Sequence, residues 1–282
     1  MTCLDQSAIS GGKRSGLPST LPDNTIQILN NIMATNVVII GGHGKVSLRL
    51  ARLLSNAGNK VTSVIRDASQ NKAIEEVGAK PHVISLEDAP VSDFSKLFAE
   101  TKADVVYFSA GAGGKGGEER TKKVDYEGAV KIFDAIEGVK SQGGDQTPRL
   151  ILVSAVDIRN PDKIPEHYNE DDIRQSERIR KVIPAYMHWK YEADKNLVQR
   201  TAFKWTILRP GGLTDNPGTG TASIGRTHLG QVISRDDVAL ALFHLLNRED
   251  ASGLAIDFVG GDTPIKDGLD TFIAKGVTDW LG

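Results

Sequence analysis

Asn36-Val37-Val38-Ile39-Ile40-Gly41-Gly42-His43-Gly44-Lys45-Val46-Ser47 is a continuous apolar run that breaks into glycines and passes directly into a helical pattern. The run reads as a strand covered on both faces. Val46, Leu50, Leu53 and Leu54 follow at helical spacing, and Gly58 supplies a stop, so the stretch opens a βαβ unit. A loop that leads from a strand into a helix leaves backbone N–H groups and the positive helix end facing one point, which suits a pyrophosphate. Gly41, Gly42, His43, Gly44, Lys45 and Val46 are the candidate contacts. The third glycine of the usual pattern is replaced by Ser47, small enough for helix and strand to pack closely.

Downstream, β-rich runs alternate with helical patterns, predicting a parallel sheet of seven strands with helices on both faces. The strands are expected at 36–41, 60–65, 82–85, 104–109, 149–154, 204–208 and 254–259. The predicted class is a doubly wound α/β domain of Rossmann type over residues 36–282, ending in a small C-terminal substrate region. Residues 1–35, broken by Gly11, Gly12, Pro18 and Pro22, read as a disordered extension. Two origins are open for it: upstream sequence before a start at Met33, or a weak transit peptide. The long connections 155–184 and 209–233 follow strand C-termini, where open sheets bind ligands, so they are candidate substrate walls.

Composition narrows the partners. The 282 residues are 39% hydrophobic and 25% charged, which suits a packed core, and the net charge of -2 comes without a basic stripe. A nucleic-acid partner is therefore not expected. No apolar run approaches the roughly 20 residues of a membrane-spanning helix, so no membrane is expected either. Cys3 is the only cysteine, which leaves no intrachain disulfide or cysteine metal cage and suits a reducing, cytoplasmic setting. His43 has no second ligand at metal spacing, and no metal is expected.

Strand two ends Val64-Ile65-Arg66, where an NAD-selective site usually carries an acid. Arg66 favours the 2′-phosphate of NADP(H), with NAD(H) still admissible; its other reading is a surface charge paired with Asp67. The second glycine cluster, Gly111 to Gly117, lacks the Gly-Lys-Ser/Thr of a nucleotide P-loop. It reads as a backbone wall beside the cofactor or as a mobile loop.

After strand five, which ends at Ser154, a helix beginning near Pro184 sets Tyr186 and Lys190 one turn apart on one face. A nearby ammonium is expected to stabilise the Tyr186 phenolate and lower its pKa, fitting it to exchange a proton with a substrate oxygen during hydride transfer. Tyr191 and Lys195 repeat the spacing on the same helix. Trp189 and Tyr191 read as packing residues.

The Gly41 to Ser47 loop, Ser109-Ala110-Gly111, Val124-Asp125-Tyr126-Glu127-Gly128, Ser154, Tyr186 with Lys190, Arg209-Pro210-Gly211-Gly212 and Arg235-Asp236-Asp237-Val238-Ala239 together resemble the short-chain dehydrogenase/reductase superfamily. The resemblance is to its atypical branch of NAD(P)-dependent epimerase/dehydratases with NmrA-like relatives, over about residues 36–263. It implies that Ser154 polarises the substrate oxygen, Tyr186 is acid/base, and Lys190 binds the nicotinamide ribose. Asp125 stands where an upstream asparagine would support the site. The resemblance places Ser109, Ala110 and Gly111 beside the cofactor, Pro210, Gly211 and Gly212 along the nicotinamide, and Ser85 and Leu86 near adenine, although the family often has an acid at position 85. It also favours Tyr186 and Lys190 over the second pair, since Ala193-Asp194 matches a small-acid pair after the catalytic lysine. The implied activity is an NADP(H)-dependent oxidoreductase or epimerase acting on a small molecule. A non-catalytic NADP(H)-binding redox sensor remains the alternative.

Overall fold

The computed structural model describes residues 34–113 and 116–282. Residues 1–33 of the expected extension, and Gly114 and Lys115 of the second glycine cluster, lie outside the described residues. In chain order the elements are β1 (Asn36–Ile40), α1 (Lys45–Asn56), β2 (Lys60–Ile65), α2 (Asn71–Glu75), β3 (Lys80–Val83), α3 (Val91–Glu100), β4 (Val105–Phe108) and α4 (Gly117–Thr121). A π-helical segment, Lys122–Glu127, joins α4 to α5 (Gly128–Glu137), and β5 (Arg149–Val153), α6 (Glu170–Val182), α7 (Pro184–Val198) and β6 (Trp205–Pro210) follow. The chain closes with β7 (Leu213–Thr214), β8 (Thr221–Ile224), β9 (Ile233–Ser234), α8 (Arg235–Leu245), β10 (Ala255–Pro264) and α9 (Ile265–Lys275).

The main sheet runs β3-β2-β1-β4-β5-β6-β10-β8. Its first seven strands are parallel. The order reverses between β1 and β4, and at such a switch point two crossovers leave in opposite directions and open a crevice. Alternation along β1 shows the two-faced burial: Val37 and Ile39 join one core with α1, α8 and α9. Val38 and Ile40 join the other with α3, α5 and α7. Helix α1 forms because Leu50 and Leu54, both fully buried, fall on one stripe. Each such burial contributes about 2 kcal/mol.

The sheet has eight strands, not the expected seven. The additional strand, β8, lies in the connection read as an open loop and pairs antiparallel with β10. Its four residues are too short for a clear period of two. The pairing also needs the bulge in β10 between Val259 and Thr263. A Cβ at Gly261 would lie 2.4 Å from the Ser223 nitrogen, so glycine is what lets the two backbones meet. The connection 155–184 is likewise not wholly loop. It contains α6, whose start is fixed by Asn169, which accepts from Asp172 N while the Asp172 carboxylate accepts from Asn169 N. Strand β3 sits two residues earlier than expected, because Thr62 to Ile65 pair with Lys80 to Val83. No helix among the described residues is long and apolar enough to cross a membrane.

Candidate active site at the switch point

The turn after β1 is held open by glycine. Gly41 has φ +82°, and a Cβ there would stand 2.7 Å from the Ala110 Cα. Gly44 N donates to Gly41 O at 2.9 Å and closes the loop directly ahead of α1. Helix α1 starts without a side-chain cap, so its first-turn N–H groups are left for an outside acceptor. Ser47 is fully buried beneath this turn, as its small size allows.

A cavity of about 470 Å³ lies over the turn. Gly41, His43, Gly44, Lys45, Arg66, Ser85, Leu86, Ser109, Ala110 and Gly111, all expected from sequence, line it. Gly42 and Val46 do not. Gly42 backs onto Ser63, and Val46 is buried in the core, so they shape the loop from behind. The backbone cradle and open helix end fit a dinucleotide pyrophosphate. Lys45 also bonds Asp215 at 2.5 Å, which ties the loop to the segment after β7.

Arg66 stands exposed at the cavity edge beside Gln70. Its suggested partner Asp67 instead accepts Ser69 N at 2.8 Å, capping the next turn. Sequence reasoning missed Arg120, which lines the same cavity and meets Glu87 at 3.3 Å. The available signal was its place in the first helical turns after the glycine cluster.

The expected catalytic residues lie outside the cavity lining but connect to it. Asp125, on the π-helical segment, accepts Ala112 N at 2.9 Å, and a Cβ at Gly111 would stand 3.1 Å from its Oδ1. That same oxygen lies 3.4 Å from Lys190 Nζ, which also donates to the Val153 carbonyl at 3.3 Å. Lys190 in turn stands 5.9 Å from the Tyr186 ring centre. The path Ala112–Asp125–Lys190–Tyr186 thus leads from the cleft into the α7 face. Ser154, at the end of β5, donates to Asp194 at 2.7 Å. Pro210 ends β6, while Gly211 and Gly212 pack toward Gln231, Val232 and Val259, away from the cavity lining.

Burial works against the Lys190 charge, but Asp125, Tyr186 and Asp194 outweigh it and hold the ammonium above its usual range. For Tyr186 the expected direction is reversed. Burial raises its pKa; Lys190 pulls it down, and the carboxylates of Asp125 and Asp194 push it up again. The reason is first the loss of solvent around the phenol, which the Lys190 ammonium does not offset, and then the two carboxylates, which push in the same direction as burial. Tyr186 is therefore a neutral phenol at neutral pH.

The second pair occupies another environment. Tyr191 stacks on Trp280 with centroids 5.7 Å apart, and Lys195 meets Glu192 at 3.8 Å. Trp189 stacks on Tyr126 at 5.5 Å, a packing role.

The sequence profile of the NAD(P)H-binding family matches residues 41–249. A UPF0659 protein of Schizosaccharomyces pombe is 42% identical over 252 residues, covering 87% of this chain and 98% of that protein. YhfK of Bacillus subtilis, named an uncharacterized sugar epimerase, is 33% identical over 237 residues, 83% of this chain and 98% of its own. Among solved structures, a Bacillus halodurans protein provisionally titled an NAD-dependent epimerase/dehydratase superposes with a TM-score of 0.69. It is 28% identical, with 84% of this chain and 100% of that one covered.

Proposed function

The chain belongs to the NAD(P)H-binding family, and from that premise we propose that it is an NADP(H)-dependent oxidoreductase or epimerase acting at a hydroxyl or carbonyl carbon of a small molecule. The observation that carries this reading is the continuous path from the cleft through Asp125 and Lys190 to Tyr186. Bound NADP(H) would supply or accept the hydride. Arg66, exposed in the cleft lining, would meet the 2′-phosphate. Tyr186 would give its proton to a substrate carbonyl oxygen as that carbon is reduced, and take it back in the reverse direction. Lys190 would hold the resulting phenolate and Asp125 would fix the ammonium. The relative named as a sugar epimerase supports a hydroxylated substrate.

A sensing role without turnover is the second reading. It is favoured by the Asp125–Lys190 ion pair, which blunts the pull of Lys190 on Tyr186. Turnover separates the two. NADPH oxidation across a panel of sugars, aldehydes and ketones is expected in the wild type and to fall at least 100-fold in Tyr186→Phe with cofactor affinity retained. Conversion equal in both proteins would remove Tyr186 from the chemistry.

A further inference from the structure

Tyr186, Lys190 and Asp194 recur at four-residue steps, so one face of α7 presents a phenol, an ammonium and a carboxyl in successive turns. Asp194 is wholly buried and Ser154 nearly so. The Ser154 hydroxyl donates to Asp194 Oδ2 at 2.7 Å, while the buried Oδ1 has no hydrogen-bond partner among the described residues.

A serine hydroxyl has one proton to donate and lone pairs to accept with. When that proton is committed to an ionised Asp194, Ser154 offers a substrate only lone pairs, and the oxygen it meets must carry a hydrogen. When Asp194 itself is protonated, the bond reverses: the carboxyl donates to Ser154, and the serine proton is free for a carbonyl oxygen. One proton taken from solvent forms an O–H bond at Asp194 and inverts the polarity of its neighbour.

We propose that Asp194 is a positioning residue that sets the direction of the Ser154 hydrogen bond, and so decides whether the site receives its substrate oxygen as an alcohol or as a carbonyl. The inference rests on the proposed acid/base chemistry at Tyr186. The groups around Asp194 are Ser154 from β5, Arg209 from β6, Lys190 and Tyr186 from α7 and Asp257 from β10, with Asp125 of the π-helical segment paired to Lys190. Burial pushes Asp194 up to about 6, against the Ser154 hydrogen bond and the charges of Arg209 and Lys190. Both directions of the bond are therefore available near neutral pH, with the carbonyl-accepting form growing as pH falls.

The test is carbon-13 NMR of the full chain with labelled aspartate carboxyls and no cofactor, the Asp194 signal being assigned by its loss in Asp194→Asn. The wild-type signal is expected to titrate with a midpoint near 6. In Ser154→Ala the midpoint should rise by at least about half a pH unit, a threefold lower proton concentration, because a donor to the ionised form is gone. Above the midpoint, exchange of water for deuterium oxide should shift the wild-type carboxylate signal and leave that of Ser154→Ala unmoved. A midpoint below about 4.5, no change in Ser154→Ala, or an isotope shift that survives without the serine would each overturn the proposal. Absence of NADP(H) binding or turnover would refute the functional reading without altering this titration, so the two failures are distinguishable.

Discussion

The cofactor cleft and the charge cluster between α7 and the sheet meet at Gly111, yet they are built from opposite materials. The cleft is backbone and absent side chains: its shape depends on Cβ atoms that Gly41 and Gly42 do not have. The cluster is side chains with mutually dependent charges: Asp125 faces Lys190, Ser154 bonds Asp194, and Arg209 lies 2.8 Å from Asp257, all buried. Damage to the first should cost binding through geometry. Damage to the second should cost stability and shift pH dependence, because a buried charge without its partner is expensive.

The hardest blow to the charge cluster is Arg209→Met, which leaves Asp257 without its guanidinium. Burial already pushes Asp257 up to about 7 despite Arg209. We expect a loss of about 3 to 5 kcal/mol in urea unfolding; a loss below about 1 kcal/mol would mean that the cluster carries little electrostatic weight. In the cleft, Gly41→Ala forces a left-handed alanine against Ala110. NADPH affinity should fall at least about 100-fold, near 2.7 kcal/mol, while circular dichroism keeps the αβ signature. Retained affinity would show that the loop is adaptable.

A third change sharpens the contrast through pH. The folded pKa of Asp194 lies above its unfolded value, near 3.9, so the folded protein binds the extra proton between about pH 4 and 6. Its contribution to stability is present below the unfolded value and lost as pH rises through the folded one. The stability difference between wild type and Asp194→Asn should therefore move by roughly 2 kcal/mol across that window, in favour of the variant at higher pH. A difference flat with pH would contradict the burial account. The smallest effect belongs to Lys195→Ala. Its exposed pair with Glu192 should be worth under about 0.5 kcal/mol, and NADPH binding should not change. A large effect on binding would reinstate the second tyrosine–lysine pair.

The same contrast explains what could be read from sequence. Strand β1, the glycine loop and α1 were legible because continuous apolar residues, glycines at a turn and a four-residue stripe are local signals. Strand β8 was not, since its four residues take their order from the bulge of β10, distant in sequence. Helix α6 did carry a local mark, Asn169 three residues ahead of Asp172, but its polar face hid the period. Tyr186 and Lys190 were identified by spacing, yet the direction of the Tyr186 shift depended first on its burial in the fold and then on Asp125, brought in from across α7. Asp194 was marked in the sequence only by the Ala193-Asp194 pair that the family resemblance picks out, and its bond to Ser154 needed the fold.

Calorimetry of NADPH and NADH against the wild type and Arg66→Ala reads out what the cleft holds, on which every later step of the proposed chemistry depends. NADPH is expected to bind more tightly than NADH, and Arg66→Ala to weaken NADPH alone by about 10- to 100-fold, the worth of one charge-assisted contact. Equal affinity for both cofactors, or equal weakening of both by the substitution, would contradict the assignment of Arg66 to the 2′-phosphate. Binding of neither would refute the cofactor cleft itself.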